Sequence, residues 1–326
     1  AAAAAAALFA PLALVRLVLA HAALERLVAR LDAADAAQAH FDVRALRAAG
    51  VSVVVLDDTP EPVKPDAVFP NNWFTTHADG TVVLYPMMAP SRQRERRPAD
   101  VTALLASRGF ETAAIVDLSH WEARQKYLEG TGAFVVDRVR RVLYCCVSRR
   151  LDRDVAHALA ERLGLTPVIF RGCDVNRVPV YHTNVMMSVG TTVAVVCADA
   201  IVDRRLRQSI VRDLALGGRR SVIAITFEQM AHFAGNCIEL CRTPQAPYTS
   251  NVPLDGAADA VNYSRNVMFM SAEARRAFLP AQIAIIERTC DIVAPDIATI
   301  EAVGGGSARC MVAEVFLPLD AQRDDE

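Results

Sequence analysis

Two series of short apolar runs recur along this chain and restrict its architecture more than any other feature. The first reads TVVLYP (81–86), RVLYCCV (141–147), TTVAVVC (191–197), NVMFM (266–270) and CMVAEVFL (310–317). The second reads VSVVVLD (51–57), TAAIVDL (112–118), TPVIF (166–170), SVIAIT (221–226) and IATIEAV (297–303). Each run is short and mostly β-branched or aromatic, as buried strands are. Amphipathic stretches of helical period follow members of the first series at 148–163, 198–216 and 271–288. The second series recurs about every 60 residues, five times over. A unit of that size cannot bury its own apolar face and must stack or close with its neighbours. The pattern therefore predicts an α/β fold, a five-bladed propeller of pseudo-fivefold strand-helix-strand modules. An ordinary doubly wound sheet also alternates strand and helix. No G-x-G-x-x-G or G-x-x-x-x-G-K-[ST] follows any run, which counts against a nucleotide-binding version of it.

Five such modules account for most of the 326 residues, so the length reads as one domain over 1–320 with a tail at 321–326. A chain this long buries about 75% of its unfolded surface and needs no disulfide or metal to fold. Residues 1–40 are Ala-rich and superficially resemble a signal peptide, but they show no initiator Met or basic start, and Arg16 interrupts the apolar stretch from Leu8 to Leu19. No chemistry is drawn from them. A net charge of −2 argues against a nucleic-acid partner held through phosphates. The eight cysteines form no C-x-x-C pair, which argues against a structural metal and for a reduced, cytoplasmic protein.

The conspicuous polar segments fall at equivalent places, between a second-series run and the next first-series run. They are FPNNWF (69–74), LEGTGA (128–133), YHTNVMMSVG (181–190), HFAGNCIEL (232–240) and GGGSARC (304–310). A pseudo-rotation relating the modules would bring all five to one axis, where a site would be built. Cys310 follows Gly304, Gly305 and Gly306 and reads as opening a strand. Glycines allow positive φ and close backbone approach, so a thiol there can sit at the mouth of a cavity. A thiolate nucleophile needs a base within hydrogen-bond reach or a cationic environment. The plainer reading, a small buried hydrophobe, suits Cys145, Cys146, Cys197 and Cys290. His182 stands beside a polar Thr-Asn pair and is the best general acid/base, with His77 and His232 as rivals. His21, His40, His120 and His157 have nothing nearby. Glu129 precedes a Gly-Thr-Gly turn, where a buried carboxylate is costly without a cation or hydrogen bonds. It is either a partner for a polar or cationic substrate group or a turn carboxylate facing water. Asn71, Asn72 and Asn184 add neutral donors and acceptors.

Taken together, the carboxylate of LEGTG, the His-x-Asn of YHTN, the Cys after GGG and the fivefold repeat resemble the guanidine-modifying enzymes of the pentein superfamily. These include arginine and agmatine deiminases, dimethylarginine dimethylaminohydrolases and amidinotransferases. FPNNWF, YPMMAPSRQRERR, FAGN and GGGSARCM are most similar to the citrulline-utilisation (CtlX-type, arginine deiminase-related) hydrolases, and the likeness covers 51–319. The resemblance implies a thiol hydrolase with no metal or organic cofactor, cleaving a C–N bond of a small guanidino or ureido amino acid. Cys310 would attack the central carbon, His182 would protonate the leaving amine and then activate water, and Glu129 would hold the substrate nitrogens. Asn71, Asn72, Asn184 and Asn236 would contact substrate. Among Arg92, Arg94, Arg96 and Arg97, Arg92 or Arg94 is favoured by position as a clamp for the α-carboxylate, with a solvated basic helix start as the alternative.

The departures are informative. Where deiminases carry F-x-R-D this chain has Phe69-Pro70-Asn71-Asn72, where they carry His-x-Asp it has His182-Thr183-Asn184, and the Asp of E-G-G-D is absent after Glu129. Fewer buried anions weaken selection for a cation, so a neutral ureido group, as in citrulline, or a weakly held guanidine is expected. No version of the family's first strand motif is legible near the N-terminus. Amidinotransfer to an amine acceptor and a non-catalytic pentein-fold binding protein stay open. A papain-like thiol hydrolase is disfavoured, its nucleophile lying near the start of the mature chain. The expected partner is a small amino-acid substrate, with no nucleic acid or membrane, and association into a homo-oligomer is left open.

Overall fold

The computed structural model describes residues 16–20, 43–242 and 265–320. Among these, fifteen short strands form five three-stranded sheets of one pattern. The middle strands are β1 (Arg16–Ala20), β4 (Thr81–Leu84), β7 (Val142–Cys146), β10 (Val193–Val196) and β13 (Asn266–Phe269). Each runs parallel to an outer strand: β2 (Val53–Leu56), β5 (Ala114–Asp117), β8 (Thr166–Phe170), β11 (Ser221–Ala224) and β14 (Cys290–Val293), respectively. On its other side each pairs antiparallel with an inner strand: β15 (Ala313–Val315), β3 (Phe74–Thr76), β6 (Phe134–Asp137), β9 (Met187–Val189) and β12 (Ile238–Leu240). The inner strands β15 and β3, β6 and β9, and β9 and β12 pack side by side.

The local sequence explains this arrangement. A parallel pair needs a long crossover, which a helix supplies. Between β7 and β8 that helix is Arg153–Leu163, with Asp152 capping its start on Asp154 N–H and Gly164 ending it at φ 61°. It buries Val155, Ala156, Leu159 and Ala160 against Leu143 and Cys145 of β7. An antiparallel pair needs only a tight turn, such as the one before β4, where Gly80 sits at φ 81°. Among the described residues no helix is long and apolar enough to cross a membrane.

Both series of runs are strands, with exceptions that follow from local chemistry. IATIEAV is not a strand: Ala298–Gly304 is a helix, entered after Asp296 accepts from Ala298 N–H and left through Gly305 at φ 68°. The outer strand of that sheet is Cys290–Val293. CMVAEVFL provides an inner strand, not a middle one, and Cys310 lies in a 3₁₀ turn, Ala308–Met311, ahead of it. The middle strand missing from the first series is Arg16–Ala20, within the stretch from which no motif was legible. The helical stretch 271–288 is two helices, Ala272–Ala277 and Pro280–Ile286, interrupted before Pro280. Residues 1–15 and the tail at 321–326 lie outside the described residues.

One ion pair joins two sheets without access to water. Asp137 at the end of β6 accepts from both terminal nitrogens of Arg220, at 2.7 and 3.0 Å, and both side chains are fully buried. Removing one partner of such a pair strands the other charge in a low-dielectric interior. Asp137→Ala is expected to cost about 3–5 kcal/mol. Urea unfolding checks this, and a loss below about 1 kcal/mol would show that water or another acceptor replaces the carboxylate.

Candidate active site

Four of the five polar segments form a short helical turn followed at once or after one residue by an inner strand, and the FAGN segment forms a turn that leads through Cys237 into another. The turn Pro70–Asn72 packs on both Gly130–Ala133 and Ala308–Met311, and Gly130–Ala133 packs on Thr183–Met186. The segments therefore gather as their equivalence in the repeat predicts. Their approach is close enough to require glycine. A Cβ on Gly132 would lie 2.2 Å from Asn72 Nδ2 and 2.9 Å from His182 Nδ1, and one on Gly306 would lie 2.8 Å from the Phe69 ring.

Glu129 and His182 form the centre of this cluster. The Glu129 side chain is fully buried, and its Oε2 lies 2.9 Å from His182 Nε2 and 3.0 Å from Arg150 Nη1, while Oε1 accepts from Met88 N–H at 3.0 Å. Burial alone would raise this carboxyl's pKa, but the His182 hydrogen bond and the charges of His182, Arg150 and Arg92 outweigh it and hold it at about 2. Burial lowers the pKa of His182 against the opposing pull of Glu129. The resting pair is thus an ionised carboxylate hydrogen-bonded to the His182 imidazole through Nε2. Thr183 fixes the turn by accepting from Cys146 N–H at 2.8 Å and donating to Ala133 O.

Cys310 is buried, and two side-chain amides converge on its sulfur: Asn184 Nδ2 at 3.3 Å and Asn236 Nδ2 at 3.2 Å. Asn184 sits two residues beyond His182, so one turn serves both thiol and imidazole. Tyr181 donates to Gly305 O at 3.0 Å, and its ring lies 4.9 Å from the His182 ring at a tilt of 45°, tying this turn to the glycines before the cysteine. Asn71 is fully buried with neither side-chain polar atom bonded, and Asn184 Oδ1 is likewise unpartnered. Buried polar atoms without partners are uncommon and mark places where a ligand can complete the bonding.

The other expected residues fall differently. Asn72 Nδ2 donates to Glu129 O at 3.4 Å, and Asn72 Oδ1 accepts from Arg92 Nη1 at 2.6 Å. Arg92 is not a free carboxylate clamp: Glu95 neutralises it at 2.9 and 2.8 Å, and Asp66 O and Phe69 O take further N–H groups. It is a buried strut that shapes the FPNN turn. Arg96 pairs with Glu122 and Arg97 with Asp100. Arg94 is exposed and bonds none of the site residues. His77 bonds Thr75 beyond the far end of β3, and His232 pairs with Glu273 at the surface, which removes both rivals of His182. Arg150 was missed. It stands 30% exposed over the Tyr181 ring, and its only sequence signal is an Arg-Arg turn after a strand.

The fold is the one shared by the guanidino-modifying enzymes of the pentein superfamily. The family model described as N,N dimethylarginine dimethylhydrolase, eukaryotic, matches residues 29–317, and the chain belongs to that family. No curated protein matches the sequence. Among solved structures, the apo form of ArgZ, an arginine dihydrolase from the ornithine-ammonia cycle in cyanobacteria, aligns over 93% of this chain with a TM-score of 0.65 and 17% identity. Unliganded AgrE aligns over 95% with a TM-score of 0.67 and 17% identity. A dimethylarginine dimethylaminohydrolase adduct with 4-chloro-2-hydroxymethylpyridine aligns over 92% with a TM-score of 0.60 and 16% identity, and the alignment covers 98% of that chain. The chain spans about 40% of the ArgZ and AgrE chains and all of the isolated ArgZ N-terminal domain. The shared fold is therefore the pentein one.

Proposed function

We propose that the chain is a thiol hydrolase that needs no cofactor and cleaves a C–N bond of a small guanidino or ureido amino acid through a covalent Cys310 intermediate. The observation that carries this reading is the Asn184 contact to the Cys310 sulfur from the turn that also presents His182 to Glu129. In the proposed cycle the thiol proton passes to His182, whose imidazolium is stabilised by Glu129. The thiolate attacks the planar carbon, and the His182 proton leaves with the departing amine. Water then gives a proton to His182 and its oxygen to the carbon, and C–S cleavage with return of that proton regenerates the thiol. The scaffold is read as a five-bladed propeller occupying 1–320 as one catalytic domain, with the inner strands around the site and 321–326 as a tail. In this reading Arg150 takes the carboxylate-clamp role expected of Arg92 or Arg94: one terminal nitrogen bonds Glu129, and the rest of its guanidinium, 30% exposed, reaches solvent beside the site. Asn71 and Asn184 Oδ1 contact the nitrogens of the substrate.

Neutral amides at 71 and 184 favour a ureido or weakly held guanidino group, while Asn72 is committed to Glu129 O and Arg92. Membership of a dimethylhydrolase family makes methylated arginines the competing substrates. A panel of citrulline, arginine, methylated arginines and agmatine, assayed for ammonia and amine release, separates these. Citrulline turnover above arginine is expected, and the reverse order would overturn the argument from the asparagines. Adding an amine acceptor tests amidinotransfer, which predicts a new amidino product in place of hydrolysis. Free thiols at all eight cysteines suit a reducing compartment, and we place the enzyme in the cytoplasm.

A further inference from the structure

We infer that the cavity enclosed by the inner strands is a second binding site, for a small zwitterionic amino acid, behind the candidate active site. It measures about 70 Å³, several times the room that one water needs. β6, β9, β12 and β15 supply its walls. Asn184 lines it as well and gives Nδ2 to Cys310 Sγ, so one side chain is shared by the cavity and the nucleophile. The turns bearing Glu129, His182 and Cys310 come before β6, β9 and β15, whereas Arg138 and Val139 follow β6 and Gly190 and Thr191 follow β9. The cavity therefore opens on the face remote from the candidate active site, where the Arg138 side chain is 31% exposed and Val139 is 52% exposed.

Four charged side chains line this cavity, and two of them are incompletely matched. Arg138 holds its guanidinium 3.5 Å from the centroid of the Phe316 ring, and that guanidinium makes no hydrogen bond among the described residues. Its ion-pair partner Glu314 lies 4.0 Å from Nε and already gives Oε2 to Arg309 at 2.7 Å, so two cations share one anion. Glu239 on β12 carries the opposite imbalance. Its carboxylate accepts from Thr192 N–H at 3.0 Å, Val193 N–H at 3.1 Å and Asn266 Nδ2 at 2.6 Å, and no cation pairs with it among the described residues. Neutral donors stabilise that charge without cancelling it. A guanidinium with free N–H groups takes a carboxylate in a two-pronged contact, and a carboxylate without a counter-charge attracts an ammonium. A simple anion would meet Glu239, and a simple cation would meet Arg138 and Arg309. An α-amino acid brings both charges in one small molecule, and the apolar walls from Val136, Met187, Val189 and Ile238 suit a short aliphatic side chain.

Alanine is the probe, with propionate and ethylamine as its two single-charge analogues, and binding is followed by ligand-observed NMR titration at pH 7. Alanine is expected to bind about tenfold more tightly than either analogue, the scale of one added contact between charged groups. Arg138→Gln is expected to weaken alanine by about tenfold or more, as the loss of a charge-assisted hydrogen bond does. Arg138→Lys keeps a cation at this position without the planar fork, and a smaller loss is expected. Arg150→Gln, on the side of Glu129, should leave alanine binding within about twofold. Near-ultraviolet circular dichroism identifies variants that fold, and either Arg138 variant suffices. Undiminished binding in a folded Arg138 variant, a loss confined to Arg150→Gln, or propionate binding as tightly as alanine would overturn the site. None of these measurements needs turnover. Alanine binding without hydrolysis of any substrate in the panel leaves this site standing while the hydrolase reading falls, and hydrolysis without alanine binding does the reverse.

Discussion

Cys310→Ala is expected to abolish ammonia and amine release from every substrate of the panel, a loss above about 10⁴-fold, because no neighbour can replace the sulfur as nucleophile. The other cysteines do not reach the site. Burial pushes Cys146 to about 12 and Cys197 to about 11, so neither supplies a thiolate at neutral pH. The substitution removes one small buried atom, and the fold should survive it. Ammonia release by the purified variant checks the first part, and mass spectrometry of wild type quenched during turnover checks the covalent adduct. Residual activity within tenfold of wild type would remove the covalent mechanism.

Glu129→Gln is expected to lower turnover by about 10²–10⁴-fold, the range ascribed to a positioned proton-transfer group. The carboxylate sets the His182 tautomer, stabilises the imidazolium and neutralises Arg150, and an amide of the same shape does none of these with charge. A stability signature should accompany this loss. The Glu129 pKa is depressed from 4.5 to about 2, so its ion pairs contribute stability above about 4.5, and that contribution disappears as pH falls towards 2. In the Gln variant this part of the acid sensitivity should be absent, while stability at pH 7 is lower. Denaturant midpoints at pH 7 and pH 3 for both proteins make the comparison. Wild-type turnover in the variant would show that Glu129 does not act through His182.

The residues legible in the sequence are those that a repeat or a costly placement singles out. Five polar segments recur at one position in the module, and the structure brings them together, so periodicity and the expense of burying a carboxylate point to Cys310, His182 and Glu129 as candidates. The inner strands FTT, MSV and IEL were invisible because they are only three residues long, too short for an alternation to register. The misreading at 297–303 has a different cause. Its β-branched residues suggest a strand, but Asp296, whose carboxylate accepts from Ala298 N–H, and Gly305 after it mark helix boundaries. Arg92 was overvalued because a basic cluster shows its cations and not their partners. Glu95 lies only three residues away, yet nothing in the spacing says that it takes the guanidinium out of the site.

The pairing of β15 with β1, with Arg16 opposite Val315, joins the most distant described parts of the chain. Cys310 lies just ahead of that last strand. During synthesis the turns carrying Glu129 and His182 emerge long before the nucleophile and before the strand that completes the first sheet. The cluster that gathers Glu129, His182 and Cys310 is therefore complete only once the segment carrying β15 has docked against the first strand of the fold.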